Sequence, residues 1–154
     1  MPTLQPAAPR RSRRWPGALV IVGAGAVLAA FFINGGRPIQ NSERTRADHP
    51  EIKLRTRRYH DDINLVHKTV RETVIALRTY GRAWKIKSDD GENIHVKVPV
   101  LVFTDDMVIT MRASNDKVLL DVRSTARVGR GDFGENRRHV LQLLDALDRK
   151  LKAT

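Results

Sequence analysis

From residue 16 to residue 33 the chain reads PGALVIVGAGAVLAAFFI, eighteen residues without a charge. As a helix this run would span about 27 Å, close to the ~30 Å hydrocarbon core of a bilayer. Inside lipid every backbone N–H and C=O must pair within its own segment, so a run this apolar is expected to be helical despite its glycines. Arg10, Arg11, Arg13 and Arg14 precede it, and Trp15 stands at its border. Arginines hold their flank in the cytoplasm, and an indole ring is favoured at headgroup level. Arg37, Arg44 and Arg46 follow the run, but they are spread out and mixed with Glu43 and Asp48. The expectation is a single transmembrane helix over 15–33 in the inner (cytoplasmic) membrane. Residues 1–14 form a basic cytoplasmic N-terminus, and the rest of the chain lies in the periplasm or another extracytoplasmic space. A cleaved signal peptide is the rival. Ala24-Gly25-Ala26 has cleavage-type spacing, yet the chain stays apolar for seven residues beyond it, the wrong flank for a cleavage site.

The formal charge of +11 points first to nucleic acid or to an anionic surface. Setting aside the four arginines before the apolar run leaves 24 of 28 cations against 17 acids, a net of +7. Two Trp, two Tyr and four Phe, some of them in the anchor or the core, leave little for a base-stacking platform. Nucleic acid is therefore not an expected partner. The membrane is, through its anchor, with anionic lipid headgroups or an envelope protein as further partners. Arg44, Arg46, Lys53, Arg55, Arg57 and Arg58 lie close to the membrane surface, either meeting anionic headgroups or forming a solvated linker. There are no cysteines, which excludes disulfides, thiolate metal sites and attachment of lipid to an N-terminal cysteine. The five histidines, His49, His60, His67, His95 and His139, lack metal-ligand spacing. No metal and no cofactor are expected.

Residues 34–51 mix Gly, Pro, Asn, Ser and charge without periodicity and are expected to be a linker to a soluble domain over 52–154. A short extended piece is expected at 52–56. Asp61 and Asp62 offer N-cap carboxylates, and Ile63, Val66, Val70, Val74 and Leu77 recur at helical spacing. Arg78 and Gly81 read as the stop signals of that helix. Alternation then takes over. Trp84 and Ile86 mark a first strand, and Asp89-Asp90-Gly91 a turn. Ile94, Val96, Val98, Val100 and Val102 share one face of a second, in which Pro99 requires an edge or a bulge. Thr104-Asp105-Asp106 precedes a third strand carrying Met107, Ile109 and Met111, and Ser114-Asn115-Asp116 leads into a fourth over 118–122. A final helix is expected over 133–151, with Val140, Leu144, Leu147 and Leu151 in its stripe. The fold class is α+β, in the order helix-strand-strand-strand-strand-helix. Short turns make the four strands antiparallel neighbours, and two helices cover one face of their sheet.

The densest chemistry lies between the fourth strand and the last helix. Gly129, Gly131 and Gly134 spell G-x-G-x-x-G, nominally a dinucleotide fingerprint. That motif needs a parallel strand after its helix, and Asp132 would sit where a pyrophosphate should. Asp132 instead makes an N-cap and capping-box pair with Glu135. Arg123 and Arg127 bracket Ser124 at the strand's exit. Arg137 lies in the first helical turn, where a cation opposes the helix dipole and calls for an acidic partner or a bound anion. Two readings stay open for Asp105, Asp106, Arg123, Ser124, Arg127, Asp132, Asn136 and Arg137: an internal Asp–Arg network, or an anion-binding site. Asp105 and Asp106 are adjacent, so in a strand they point to opposite faces and cannot share one proton site. They are expected to shape a turn and to pair with Arg123 or Arg127. Ser124 lacks a nucleophile elbow and a histidine partner, so no catalytic residue is assigned.

These residues resemble the domain of unknown function 1499 family. Its signature runs approximately R-S-x-S-R-x-G-x-x-D-x-G-x-N-R-x-R, after F-x-D-D. Phe103-Thr104-Asp105-Asp106 matches the second pattern, and Arg123, Ser124, Arg127, Gly129, Asp132, Gly134, Asn136 and Arg137 match the first. Ala126 replaces the second serine, and the last arginine falls at or beside His139. The resemblance covers residues 52–151. It implies bacterial and plastid relatives often carried on a membrane or lipid anchor, and no particular activity. The function expected is a non-catalytic binding or structural module of the envelope, with an anionic envelope component as its candidate ligand; the alternatives are a hydrolase or transferase on an anionic envelope substrate, and a small lipid-binding domain.

Overall fold

The computed structural model describes residues 41–101, 103–127 and 134–151. In chain order the elements are β1 (Ser42–Arg44), a 3-10 turn (Ile52–Leu54), β2 (Arg57–Tyr59), α1 (Ile63–Ala76), β3 (Arg78–Thr79), β4 (Arg82–Ala83), β5 (Lys85–Asp89), β6 (Asn93–Val100), β7 (Phe103–Ser114), β8 (Lys117–Thr125) and α2 (Glu135–Asp148). The architecture is α+β, with an antiparallel sheet and two helices. The main sheet has six strands, two more than expected, in the order β1-β8-β7-β6-β5, with β2 also on β8. β1 and β2 share the outer edge of β8: Ser42 pairs with Thr125 near one end, and Tyr59 with Val118 near the other. β3 and β4 form a separate two-stranded ribbon.

Strand alternation gives the sheet two unlike faces. Met107, Ile109 and Met111 of β7 and Val118, Leu120 and Val122 of β8 are buried. They meet Val66, Val70 and Val74 of α1 and Val140, Leu143, Leu144 and Leu147 of α2 in one core. The residues between them on each strand point away from the helices.

Several details depart from the sequence-based expectations. Residues 42–44, placed in the linker, form β1. α1 starts at its expected cap, where Asp62 accepts a hydrogen bond from the Asn64 N–H at 2.8 Å. It stops earlier than its stop signals suggested, because Arg78 already belongs to β3 and Gly81 shares a tight turn with Tyr80, both at positive φ. No turn forms at Thr104-Asp105-Asp106. β7 runs straight through them, and the chain reverses earlier, between Val100 and Phe103. Pro99 lies inside the sheet without a bulge at its position, because β5 pairs with β6 only as far as Lys97 and demands no N–H beyond it. The N-cap of α2 is Gly134, in the left-handed region at φ 86°, a conformation glycine adopts at little cost. Asp132, expected at that cap, lies outside the described residues, as do Gly129, Gly131, Phe133 and the apolar run at 16–33. Among the described residues no helix is long and apolar enough to cross a membrane.

Candidate functional site

The alternation of β7 and β8 decides where the motif residues go. Asp105 and Ser124 point inward, and both are buried. The Ser124 hydroxyl donates to Asn136 Oδ1 at 2.7 Å, and Asn136 Nδ2 donates to the Asn41 carbonyl at 3.0 Å. One asparagine thus ties the start of α2 to β8 and to the residue before β1. His139, one turn further along α2, is completely buried. Its Nδ1 lies 3.8 Å from Asp105 Oδ2 and its Nε2 lies 3.5 Å from Glu135 Oε2, and neither nitrogen makes a hydrogen bond. The Trp84 ring meets it edge-on, with centroids 5.9 Å apart. Burial, far more than any neighbouring charge, pushes its pKa down to about 4. Glu135 raises it slightly and Arg138 opposes that.

Asp106, Arg123 and Arg127 point the other way. Lys97 Nζ and Arg127 Nε both donate to the Asp106 carboxylate. Partial burial alone would raise the Asp106 carboxyl, but the hydrogen bonds from Arg127 and Lys97 outweigh it and hold it below the usual carboxylate range. The Arg127 side chain is half exposed, and exposed ion pairs contribute little because solvent screens them and side-chain entropy opposes them. Arg127→Ala is accordingly expected to lower unfolding stability by less than about 1 kcal/mol in urea titration; a loss above about 2 kcal/mol would make Arg127 an internal strut.

Arg123 stands directly opposite Arg44 across the β1–β8 pair. Neither has an ion-pair partner among the described residues. With Arg46, Ser42 and Glu43 they line an open depression of about 390 Å³. A second open depression, of about 540 Å³, is lined by Arg82, Lys85, Lys97 and Arg127, with Pro99 and Thr104.

Of the eight residues singled out in the sequence, the seven among the described residues therefore do not converge on one site. Asp106 and Arg127 pair as expected, and Ser124 and Asn136 meet beneath the sheet. Asp105 faces His139, which had been set aside with the other histidines. Arg137 finds its acid in Glu51, with Nε 3.2 Å from Oε2. Arg123 lies apart on the open face. Sequence inspection passed over Lys97, Lys85 and Arg82; the signal available was the alternation of β6, which puts Lys97 on the face opposite Val96 and Val98.

Of the basic residues near the start of the domain, Arg57 is internal. It donates through Nε to both carboxylate oxygens of Asp148, at 2.9 and 3.1 Å, and Asp148 also accepts from the Tyr59 hydroxyl at 2.8 Å. No group of three or more potential ligands is arranged to hold a metal among the described residues. No curated protein matches the chain, and no solved structure matches it. The family model described as protein of unknown function (DUF1499) matches residues 34–147, covering both motifs and every element from β1 to the last turn of α2, and the chain belongs to that family.

Proposed function

We propose that this domain is a non-catalytic binding module that takes an anionic component of the cell envelope on the open face of its sheet. The observation that carries this is the pairing of Arg44 with Arg123 across β1 and β8. Like charges directly opposite on neighbouring strands repel, and Arg46 adds a third cation to the same depression. Guanidinium groups present planar forks of donors that fit phosphate and carboxylate oxygens. An anion bridging the two strands would convert a repulsive pair into a binding site. The aspartates favour binding over hydrolase or transferase chemistry. Asp106 is already engaged by two cations and is a weak base, while Asp105 is buried beneath the sheet. Between sheet and helices the buried side chains of the described residues form one core, which gives the small lipid-binding alternative no observation in its favour.

The test is polyphosphate binding to the full chain in non-ionic detergent, followed by fluorescence anisotropy. The Arg44→Glu/Arg123→Glu double variant should lose at least about tenfold in affinity, and wild-type affinity should fall as salt rises. Equal affinity of the two proteins would overturn the proposal.

A further inference from the structure

The three hairpins of the main sheet obey different rules. At one end, β5 turns into β6 through Asp90-Gly91-Glu92, and β7 turns into β8 through Asn115-Asp116. Gly91 and Asn115 take the positive φ angles there, as turn chemistry prefers. At the other end β6 turns into β7 within the sequence Val100-Leu101-Val102-Phe103, with no polar residue and no glycine. Leu101 sits at φ 37°, a conformation that a branched apolar side chain adopts only at a cost. It is nonetheless 64 % exposed, and Phe103 is 50 % exposed. A strained turn that displays two large apolar side chains to water is accounted for if those side chains have an apolar destination.

Its surroundings are cationic. Arg82 Nη1 donates to the Leu101 carbonyl at 2.7 Å, tying the β3–β4 ribbon to the tip. Lys85 faces Lys97 across β5 and β6, and with Arg82 and Arg127 they line the larger of the two open depressions. Tyr80, at the turn of the ribbon, is half exposed beneath the Arg138 guanidinium, 5.0 Å from its ring. Apolar residues at a tip with cations behind them is the arrangement an anionic bilayer surface accepts.

The path of the chain points the same way. Asn41 accepts from the Ala126 N–H at the exit of β8, and β1 begins there. Thr125 pairs with Asp106 near the start of β7, so the described chain begins at the sheet end that carries Leu101 and Phe103. The uncharged run at 16–33 ends eight residues before Asn41, a reach of at most about 28 Å in extended chain.

We propose that the β6–β7 hairpin tip inserts Leu101 and Phe103 into the surface of an anionic bilayer, with Arg82, Lys85, Lys97 and Arg127 on the headgroups. The proposal rests on the run at 16–33 being a membrane segment and is independent of the Arg44–Arg123 site.

The chain has no cysteine, so Leu101→Cys and Phe103→Cys can each carry a single environment-sensitive fluorophore. Asp116→Cys, at the opposite end, is the control. The full-length chain is placed in nanodiscs of zwitterionic lipid, or of lipid with about a third phosphatidylglycerol, some carrying a spin-labelled quencher. Both tip positions should be quenched at least about threefold more than position 116 in anionic discs, and the difference should shrink in zwitterionic discs or with Arg82→Glu/Lys85→Glu. Equal quenching at both ends, or a chain that does not enter the discs, would overturn the proposal. So would a tip signal that answers to added polyphosphate and not to lipid. Arg44→Glu/Arg123→Glu should leave the tip quenched even where it abolishes polyphosphate binding, which separates failure of one site from failure of the other.

Discussion

Acidification from pH 7 to pH 4 will cost the domain about 3 kcal/mol of stability through one side chain, His139. Its pKa in the folded protein is about 4 because burial penalises the imidazolium, whereas in an unfolded chain it is about 6.5. Between those values the unfolded chain binds a proton that the folded one refuses. Stability is therefore full above about pH 6.5 and falls as the pH drops toward 4. Below that the folded form also protonates and this contribution to the slope ends. Asp105 faces the ring from β7, and Glu135 and Arg138 face it from its own helix. The depressed carboxyls of Asp89 and Asp106 add their own acid sensitivity only below about pH 4, so the upper window belongs to the histidine. Urea titrations at half-unit steps should give a slope near one proton in wild type between pH 6 and 4.5, and a flat line in His139→Leu. His139→Arg should be flat as well, since a guanidinium is charged in both states. The family pattern carries arginine at or beside this position. An unchanged slope in His139→Leu would place the acid sensitivity elsewhere.

Trp84→Ala should cost about 3–5 kcal/mol, the range for removing a buried aromatic side chain from a core. That is a large part of the 5–15 kcal/mol that holds a typical domain folded. Trp84 is 2 % exposed, and its Nε1–H donates to Thr79 Oγ1 at 2.7 Å. The ring closes the region between the β3–β4 ribbon and His139. Truncation leaves a void, removes one of the two hydrogen bonds at the Thr79 hydroxyl (the other, to Gln142 Oε1 at 3.4 Å, remains) and opens a histidine to water. Trp84→Phe, which keeps most of the volume, should lose much less. Equilibrium denaturation of the three proteins decides it, and a loss under about 1.5 kcal/mol for Trp84→Ala would mean that the site collapses freely.

The histidine and the tryptophan also mark how far the sequence could be read. The helical spacing of Val66, Val70 and Val74, that of Val140, Leu144 and Leu147, and the alternation of Ile94, Val96 and Val98 made both helices and the central strands legible, because each reports burial on one side of a regular element. β1 and β2 were not legible. They are three residues each, and what makes them strands is the edge of β8, some sixty to eighty residues away, rather than any pattern of their own. The turn was misplaced at Thr104-Asp105-Asp106 because the true hairpin at Leu101 carries none of the residues that announce one. For the site, the motif identified which residues mattered chemically but not which face each would take. Once β7 ran straight through Asp105 and Asp106, the pair was split between core and solvent. Arg137 turned to Glu51 and Asn136 to Ser124, partners that only the packing of α2 could supply.

The double occupancy of the β8 edge has a consequence for how the chain acquires its structure. Among the described strands β1 and β2 are synthesised first, yet the sheet partner they share is made more than fifty residues later. Contacts so far apart in sequence slow folding, because a long loop must close before they stabilise anything. The hairpins from β5 to β8 can assemble from local pairing, but until the two short strands dock, the edge of β8 stays open to any other strand it meets. Holding the N-terminal segment close by, as a nearby membrane insertion point would, raises the chance that the strand which closes that edge is the chain's own.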